Sequence, residues 1–194
     1  MYEEIKSDIV RAMKILEKNG WNYGRSGNAS VYIRDKGHVL ITPSGVLKAR
    51  LKPEDILVVD IEGNVIEGSG KPSSEIQLHL LLYKTYPNVN AVIHAHPIYT
   101  ATLAIAREGI PPIIDEMIVY IGGDVRVAEY APFGTKTLAE NVVKSIKGRK
   151  AAIMANHGVV AVGRHLDEAL EIIGLVERLA QIYVLAKCLN KVNL

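Results

Sequence analysis

The sequence predicts an α/β fold in which a mixed, largely antiparallel sheet is flanked by helices. Segments with apolar residues at helical spacing alternate with short strand-like segments along the chain. Two pairs of strand-like segments are joined by turn chemistry, Asp35-Lys36-Gly37 and Glu62-Gly63-Asn64, which reads as hairpins. Hairpins set between helices argue against a regular parallel βαβ array.

In chain order, Ile5, Ile9, Ala12, Met13 and Leu16 predict a helix over 2–18, stopped by Asn19-Gly20. Residues 29–33 and 38–41 alternate as strands across the first turn, and 56–61 opens the second hairpin. Pro43-Ser44-Gly45 is loop chemistry. Ser73-Ser74-Glu75 opens a helix that runs through Leu78, Leu81 and Leu82 to Tyr86-Pro87. An apolar strand over 91–94 precedes Pro97, which begins a helix ending near Gly109. A short strand near 117–121 leads into Gly122-Gly123. A helix over 134–147, an apolar strand over 151–155 and a long helix over 166–189 follow. The last carries Leu170, Ile173, Val176, Ala180 and Tyr183 on one side.

A chain of 194 residues can bury one substantial core and is short for two. Charged residues make up 23% with a net charge of +2 and no basic block, so no nucleic-acid footprint is visible. Apolar stretches such as 151–155 and 159–162 are far too short to cross a bilayer. The opening Met-Tyr-Glu-Glu-Ile-Lys lacks the apolar stretch of a signal peptide. Cys188 is the single cysteine, which excludes an internal disulfide and a Cys-rich zinc knuckle. The expectation is a cytoplasmic, single-domain protein working on a small molecule, with no nucleic-acid or membrane partner.

The chemistry concentrates in four places. In Val92-Ile93-His94-Ala95-His96-Pro97, residues two apart on a strand point the same way, so both imidazoles can reach one cation. The alternative is two polar side chains at a strand end. Asn156-His157-Gly158 repeats that context, and a third imidazole would complete an open three-histidine arrangement; taken by itself, His157 reads as a turn residue before it reads as a ligand. His38 and His165 are expected to face solvent. His79 shares the helix face of Glu75 and is expected to support or pack against it.

The third place is Lys71-Pro72-Ser73-Ser74-Glu75. Serines there can be plain helix caps, yet two hydroxyls and the free N–H groups of a helix N-terminus also suit a phosphate. Glu75 can be a dipole partner, or the carboxylate that proton abstraction next to a carbonyl requires. The fourth place comprises Gly27-Asn28-Ala29-Ser30 and Thr42-Pro43-Ser44-Gly45, ordinary turns that can also offer backbone amides to a phosphate.

Taken in order, Gly27-Asn28-x-Ser30, Thr42-Pro43-Ser44-Gly45, Ser73-Ser74-Glu75, His94-x-His96 and His157-Gly158 resemble the class II sugar-phosphate aldolase family. That family includes the fuculose- and rhamnulose-phosphate aldolases and the ribulose-phosphate 4-epimerases. The resemblance runs from the first helix to the last and is strongest to the fuculose-phosphate type. It implies one three-layer α/β domain over 1–194, with a mainly antiparallel sheet between helical layers. It further implies a homotetramer with active sites at subunit interfaces. By the same resemblance, one divalent ion per subunit (zinc foremost, manganese or cobalt also compatible) falls to His94, His96 and His157, with Glu75 as catalytic base and further ligand. Phosphate binding falls to Gly27, Asn28, Ser44, Gly45, Ser73 and Ser74. The implied reaction is reversible cleavage of a ketose 1-phosphate to dihydroxyacetone phosphate and a small aldehyde.

Two departures concern the aldehyde half. Fuculose-phosphate aldolases carry a tyrosine just before a Met-Ile pair; here Glu116 precedes Met117-Ile118, and Tyr120 lies two residues beyond. On the expected strand, Glu116, Ile118 and Tyr120 share one face, so either Glu116 or Tyr120 can be the acid–base group for the aldehyde oxygen. The sequence also stops at Leu194, where many relatives continue with a tail over the site. The alternatives are an epimerase or dehydratase of the same family, or a non-catalytic metal or sugar-phosphate binding protein.

Overall fold

The computed structural model describes residues 2–189 and carries eight strands in one sheet, in the order β4-β3-β2-β1-β5-β8-β7-β6. The elements in chain order are α1 (Glu3–Lys18), β1 (Asn28–Ile33), β2 (His38–Ile41), β3 (Leu57–Asp60), β4 (Val65–Glu67) and α2 (Ile76–Thr85). They continue with β5 (Ala91–Ala95), α3 (Ile98–Ala106), β6 (Arg126–Ala128), α4 (Lys136–Ile146), β7 (Ala151–Met154), β8 (Gly158–Gly163) and α5 (Leu166–Cys188). Every neighbouring pair is antiparallel except β6 and β7. The expected α/β class and the mainly antiparallel sheet are both present. Residue 1 and residues 190–194, including the Leu194 end, lie outside the described part.

Alternation along the central strands divides the interior into two cores. Ala91, Ile93, Val159 and Ala161 pack with residues of α1, α3 and α5 on one face. Val92, Val160 and Val162 pack with residues of α2 and α4 on the other. β8 is buried along its whole length. Its continuous apolar run shows no period of two, because both faces are covered, and for that reason the sequence reading did not identify it as a strand. The short β6 at the sheet edge carries no sequence signal either; three residues are too few to show a period.

The strand expected near 117–121 is corrected. Met117–Ile121 is a single π-helical turn, closed by the Gly122 amide on the Met117 carbonyl at 2.9 Å. Met117 and Ile121 are buried while Ile118, Val119 and Tyr120 are exposed, a spacing of four that belongs to a helix and not to a strand. The shared strand face of Glu116, Ile118 and Tyr120 therefore does not exist. Glu116 and Tyr120 nonetheless sit one helical turn apart and line one cleft, without Ile118.

α3 is held at its start by another helix. Glu177 of α5 accepts hydrogen bonds from the amides of Tyr99 and Thr100, each at 2.9 Å, and from the Thr100 hydroxyl at 2.7 Å. This carboxylate satisfies donors that open every helix and fixes the chain just after His96-Pro97. Among the described residues, no helix is long and apolar enough to cross a membrane.

Candidate metal centre and active site

Sheet register brings the first residues of the site together. Asn28 of β1 lies directly opposite His94 of β5. His94 shares the sheet face of Val92, which is packed against α2, and Ser30, two residues after Asn28, hydrogen-bonds to α2. Glu75, at the N-terminal end of α2, reaches into the same space and is 6% exposed. Its Oε2 accepts from Asn28 Nδ2 at 2.8 Å and lies 3.2 Å from His94 Nε2.

His96 follows β5, and its amide donates to the Trp21 carbonyl at 2.8 Å. His157 arrives from the β7–β8 turn, where Asn156 adopts a left-handed backbone with φ of 56°. The nitrogen ligand atoms of His94, His96 and His157 all lie within 4.8 Å of one another. Gly158 makes this approach possible. A Cβ there would sit 2.4 Å from the Ala95 carbonyl oxygen and 2.5 Å from the His96 ring.

The donor set fits a cation. His94 Nδ1 donates to the Val159 carbonyl at 2.9 Å, which leaves Nε2 as the bare lone pair facing Glu75. Burial, reinforced by the neighbouring His157, holds the His94 imidazole well below its usual range and therefore neutral. Burial and the two neighbouring histidines likewise bring His96 down to about 3. His94 Nε2, His96 Nε2 and Glu75 Oε1 are buried without a hydrogen-bond partner. Converging lone pairs of this kind are costly unless something positive lies between them.

Behind Glu75 runs a chain of hydrogen bonds that the sequence only hinted at through His79. His79 is fully buried, and burial brings it down to about 4, so its ring is neutral with one N–H. Because Asn28 gives its amide hydrogen to Glu75, its Oδ1 must accept, and His79 Nε2 donates to it at 2.6 Å. His79 Nδ1 then accepts from Ser30 Oγ at 2.6 Å, and Ser30 accepts from the Tyr83 hydroxyl at 2.6 Å. All donors point toward Glu75, a polarised arrangement that strengthens the last bond. The expectation of a supporting role for His79 is met. His165 faces solvent and caps α5, its Nδ1 accepting from the Glu168 amide; His38 is half-buried against the Tyr2 hydroxyl.

Gly27, Asn28, Ser44, Gly45, Ser73 and Ser74 line one cavity of about 180 Å³ together with Glu75, His96 and His157. Backbone bonds from Ser44 to the Lys71 carbonyl and from Ser73 to the Thr42 carbonyl clamp the two loops together at 2.9 and 3.0 Å. Those amides are thereby used internally. The amides of Gly45 and Ser74 have no partner among the described residues and remain available to an anion. Arg25, Ser26, Lys48 and Phe133 also line the cavity, and the sequence reading did not single them out. No local motif marks them; only the folding of separate loops onto one another brings them here.

Tyr120 and Glu116 are not part of this cavity. They line a cleft with Lys150 and Arg164, beyond the far end of β8 from Gly158. A six-residue strand separates the two places by roughly 17 Å.

Residues 7–184 match the family model described as Class II Aldolase and Adducin N-terminal domain. A 5-deoxy-D-ribulose 1-phosphate aldolase of Bacillus thuringiensis serovar kurstaki is 34% identical over 194 residues, covering 100% of this chain and 91% of that protein. An L-fuculose phosphate aldolase of Escherichia coli K12 is 39% identical over 182 residues, covering 93% of this chain and 83% of that protein. A solved L-fuculose 1-phosphate aldolase superposes with a TM-score of 0.94 at 44% identity, covering 98% of this chain and 90% of its own. The chain therefore belongs to the class II aldolase and adducin N-terminal domain family, within which it is a class II aldolase, a carbon–carbon lyase.

Proposed function

We propose that this chain reversibly cleaves a deoxyketose 1-phosphate, such as L-fuculose 1-phosphate or a 5-deoxypentulose 1-phosphate, to dihydroxyacetone phosphate and a small aldehyde. The observation that carries this reading is the convergence of three imidazoles on Glu75, whose Oε1 has no hydrogen-bond partner, beside a cavity with free backbone amides. The named relatives act on sugar phosphates of this kind. The protein is read as one domain and as a cytoplasmic homotetramer.

His94, His96 and His157 would hold a divalent ion, most compatibly zinc, with Glu75 as an additional ligand in the resting enzyme. When bound, the cation supplies Lewis-acid stabilisation of negative charge on the substrate's carbonyl oxygen. The phosphate is held by the loops around Asn28, Ser44, Gly45, Ser73 and Ser74, which fixes the reacting carbon against Glu75. In condensation Glu75 removes the carbon-bound proton, the carbon attacks the aldehyde, and an acid protonates the new alkoxide. Cleavage reverses each transfer, with Glu75 returning the proton to carbon. Asn28 restrains Oε2 and leaves Oε1 for this work. Tyr120 is the proposed acid on the aldehyde side, acting on a neighbouring subunit's site with Glu116 steering it. Its distance from its own chain's histidines and its exposed apolar neighbours Ile118 and Val119 support that assignment.

The test is condensation of dihydroxyacetone phosphate with a panel of small aldehydes. New carbon–carbon bonds should form, a strong chelator should abolish them, and single replacements of His94, His96 or His157 by Ala should each remove most of the bound metal. Full metal content and turnover in all three variants would discard the site.

A further inference from the structure

Lys48 is out of place for an ordinary lysine. It is 2% exposed, at the start of the short 3-10 helix Lys48–Arg50, with its amide bonded to the Gly24 carbonyl at 2.9 Å. Lysine is almost never fully buried unless it is paired. Among the described residues, its ammonium has no carboxylate and no hydrogen-bond acceptor. It is nevertheless not one of the sealed, partnerless polar atoms of the interior, so the tip of the side chain opens onto free space. The space it borders is the cavity of Ser44, Gly45, Ser73 and Ser74.

We propose that Lys48 is the cationic binding residue of this cavity, there to pair with the dianionic phosphoryl group of the substrate. The inference rests on the phosphate-binding role given to the cavity above. Hydroxyls and amides can hold any small oxyanion, whereas a desolvated ammonium discriminates by charge. Arg25 borders the same cavity but is exposed, so solvent screens it. Burial lowers the Lys48 ammonium to about 8, as expected for a cation with no anion yet beside it. An arriving dianion supplies that partner. The stem of the side chain packs in the wall and needs no charge, so a Lys48→Met chain retains its volume.

The experiment measures inorganic phosphate binding by titration calorimetry, and thermal unfolding with and without phosphate, for wild type, Lys48→Met and Lys48→Arg. Wild type should bind phosphate and gain thermal stability from it. Lys48→Met should bind about 10- to 100-fold more weakly and lose most of that gain. Its unfolding temperature without phosphate should be unchanged or higher, because an unpaired buried charge has been removed. Lys48→Arg should retain part of the affinity. In turnover, Lys48→Met should raise KM for dihydroxyacetone phosphate while leaving kcat and metal content nearly unchanged. A Lys48→Met protein that binds phosphate as tightly as wild type overturns the assignment. So does one that is destabilised without phosphate yet keeps the full phosphate-induced gain, since Lys48 would then be structural. If wild type itself binds no phosphate, the cavity is not a phosphate site and the broader reading fails with it.

Discussion

Asn28 Nδ2 donates to Glu75 Oε2 at 2.8 Å, and the same oxygen lies 3.2 Å from His94 Nε2. One carboxylate oxygen is thus tethered by an amide and set against a metal-ligand candidate, while Oε1 has no hydrogen-bond partner and lies 3.7 Å from His157 Nε2. The tether is held from behind by His79, Ser30 and Tyr83. Proton transfer at carbon requires a carboxylate held in place, and this arrangement holds Glu75 from two sides.

His79→Phe keeps a ring of similar size but removes the donor to Asn28 and the acceptor for Ser30. The variant should lose about 1–3 kcal/mol of stability through the orphaned groups. Turnover should fall about 10- to 100-fold while the bound metal is largely kept, because the ligands are untouched and only their support is loosened. Urea unfolding, metal analysis and kinetics on one preparation check all three. Unchanged turnover would mean that the hydrogen-bond chain serves folding alone.

Tyr120→Phe should abolish most aldol turnover but spare exchange of the carbon-bound proton of dihydroxyacetone phosphate, which needs no aldehyde. Because Tyr120 is remote from its own chain's histidines, mixing Tyr120→Phe with Glu75→Gln and allowing subunits to exchange should restore part of the activity. A site formed from the first variant's Glu75 and the second's Tyr120 is complete. No recovery in mixed oligomers would remove Tyr120 from the neighbouring site. If Glu116→Gln gives the split and Tyr120→Phe does not, their roles are exchanged.

Glu168 supplies a test in acid. Burial alone would raise its carboxyl, but hydrogen bonds from Lys150 at 2.8 Å and from the Arg164 amide at 2.6 Å outweigh it and bring the group down to about 2. A depressed folded-state value stabilises the protein above the ordinary 4.5 and loses that contribution as pH falls toward 2. Glu168→Gln should therefore cost about 1–3 kcal/mol at neutral pH, and the gap to wild type should close between those two pH values. A gap that persists undiminished below pH 3 would assign the effect to packing.

Much of this site was legible because its chemistry is written locally. His94-x-His96 at the end of an apolar strand, His157-Gly158 after another, and Ser73-Ser74-Glu75 before a helix are each readable as local motifs. The hydrogen-bond chain was visible only as the helical spacing of Glu75 and His79, since Ser30 and Tyr83 join it through tertiary packing. Lys48 carries no signal in the sequence: a lysine between elements reads as solvated until the fold ties its amide to the Gly24 carbonyl and buries its side chain. β8 was hidden by being apolar on both faces, and the turn at Met117–Ile121 by a run too short to separate a spacing of four from a spacing of two.

The central claim is that Glu75 moves the proton at carbon within a metal site built by His94, His96 and His157. The most direct measurement is exchange of the carbon-bound proton of dihydroxyacetone phosphate with heavy water, in the absence of any aldehyde. Metal content is measured on the same samples. Wild type should exchange, and Glu75→Gln should exchange slower by a factor on the order of 10² to 10⁴ while retaining bound metal. A wild type that does not exchange, or a metal-loaded Glu75→Gln that exchanges at the wild-type rate, would contradict the account.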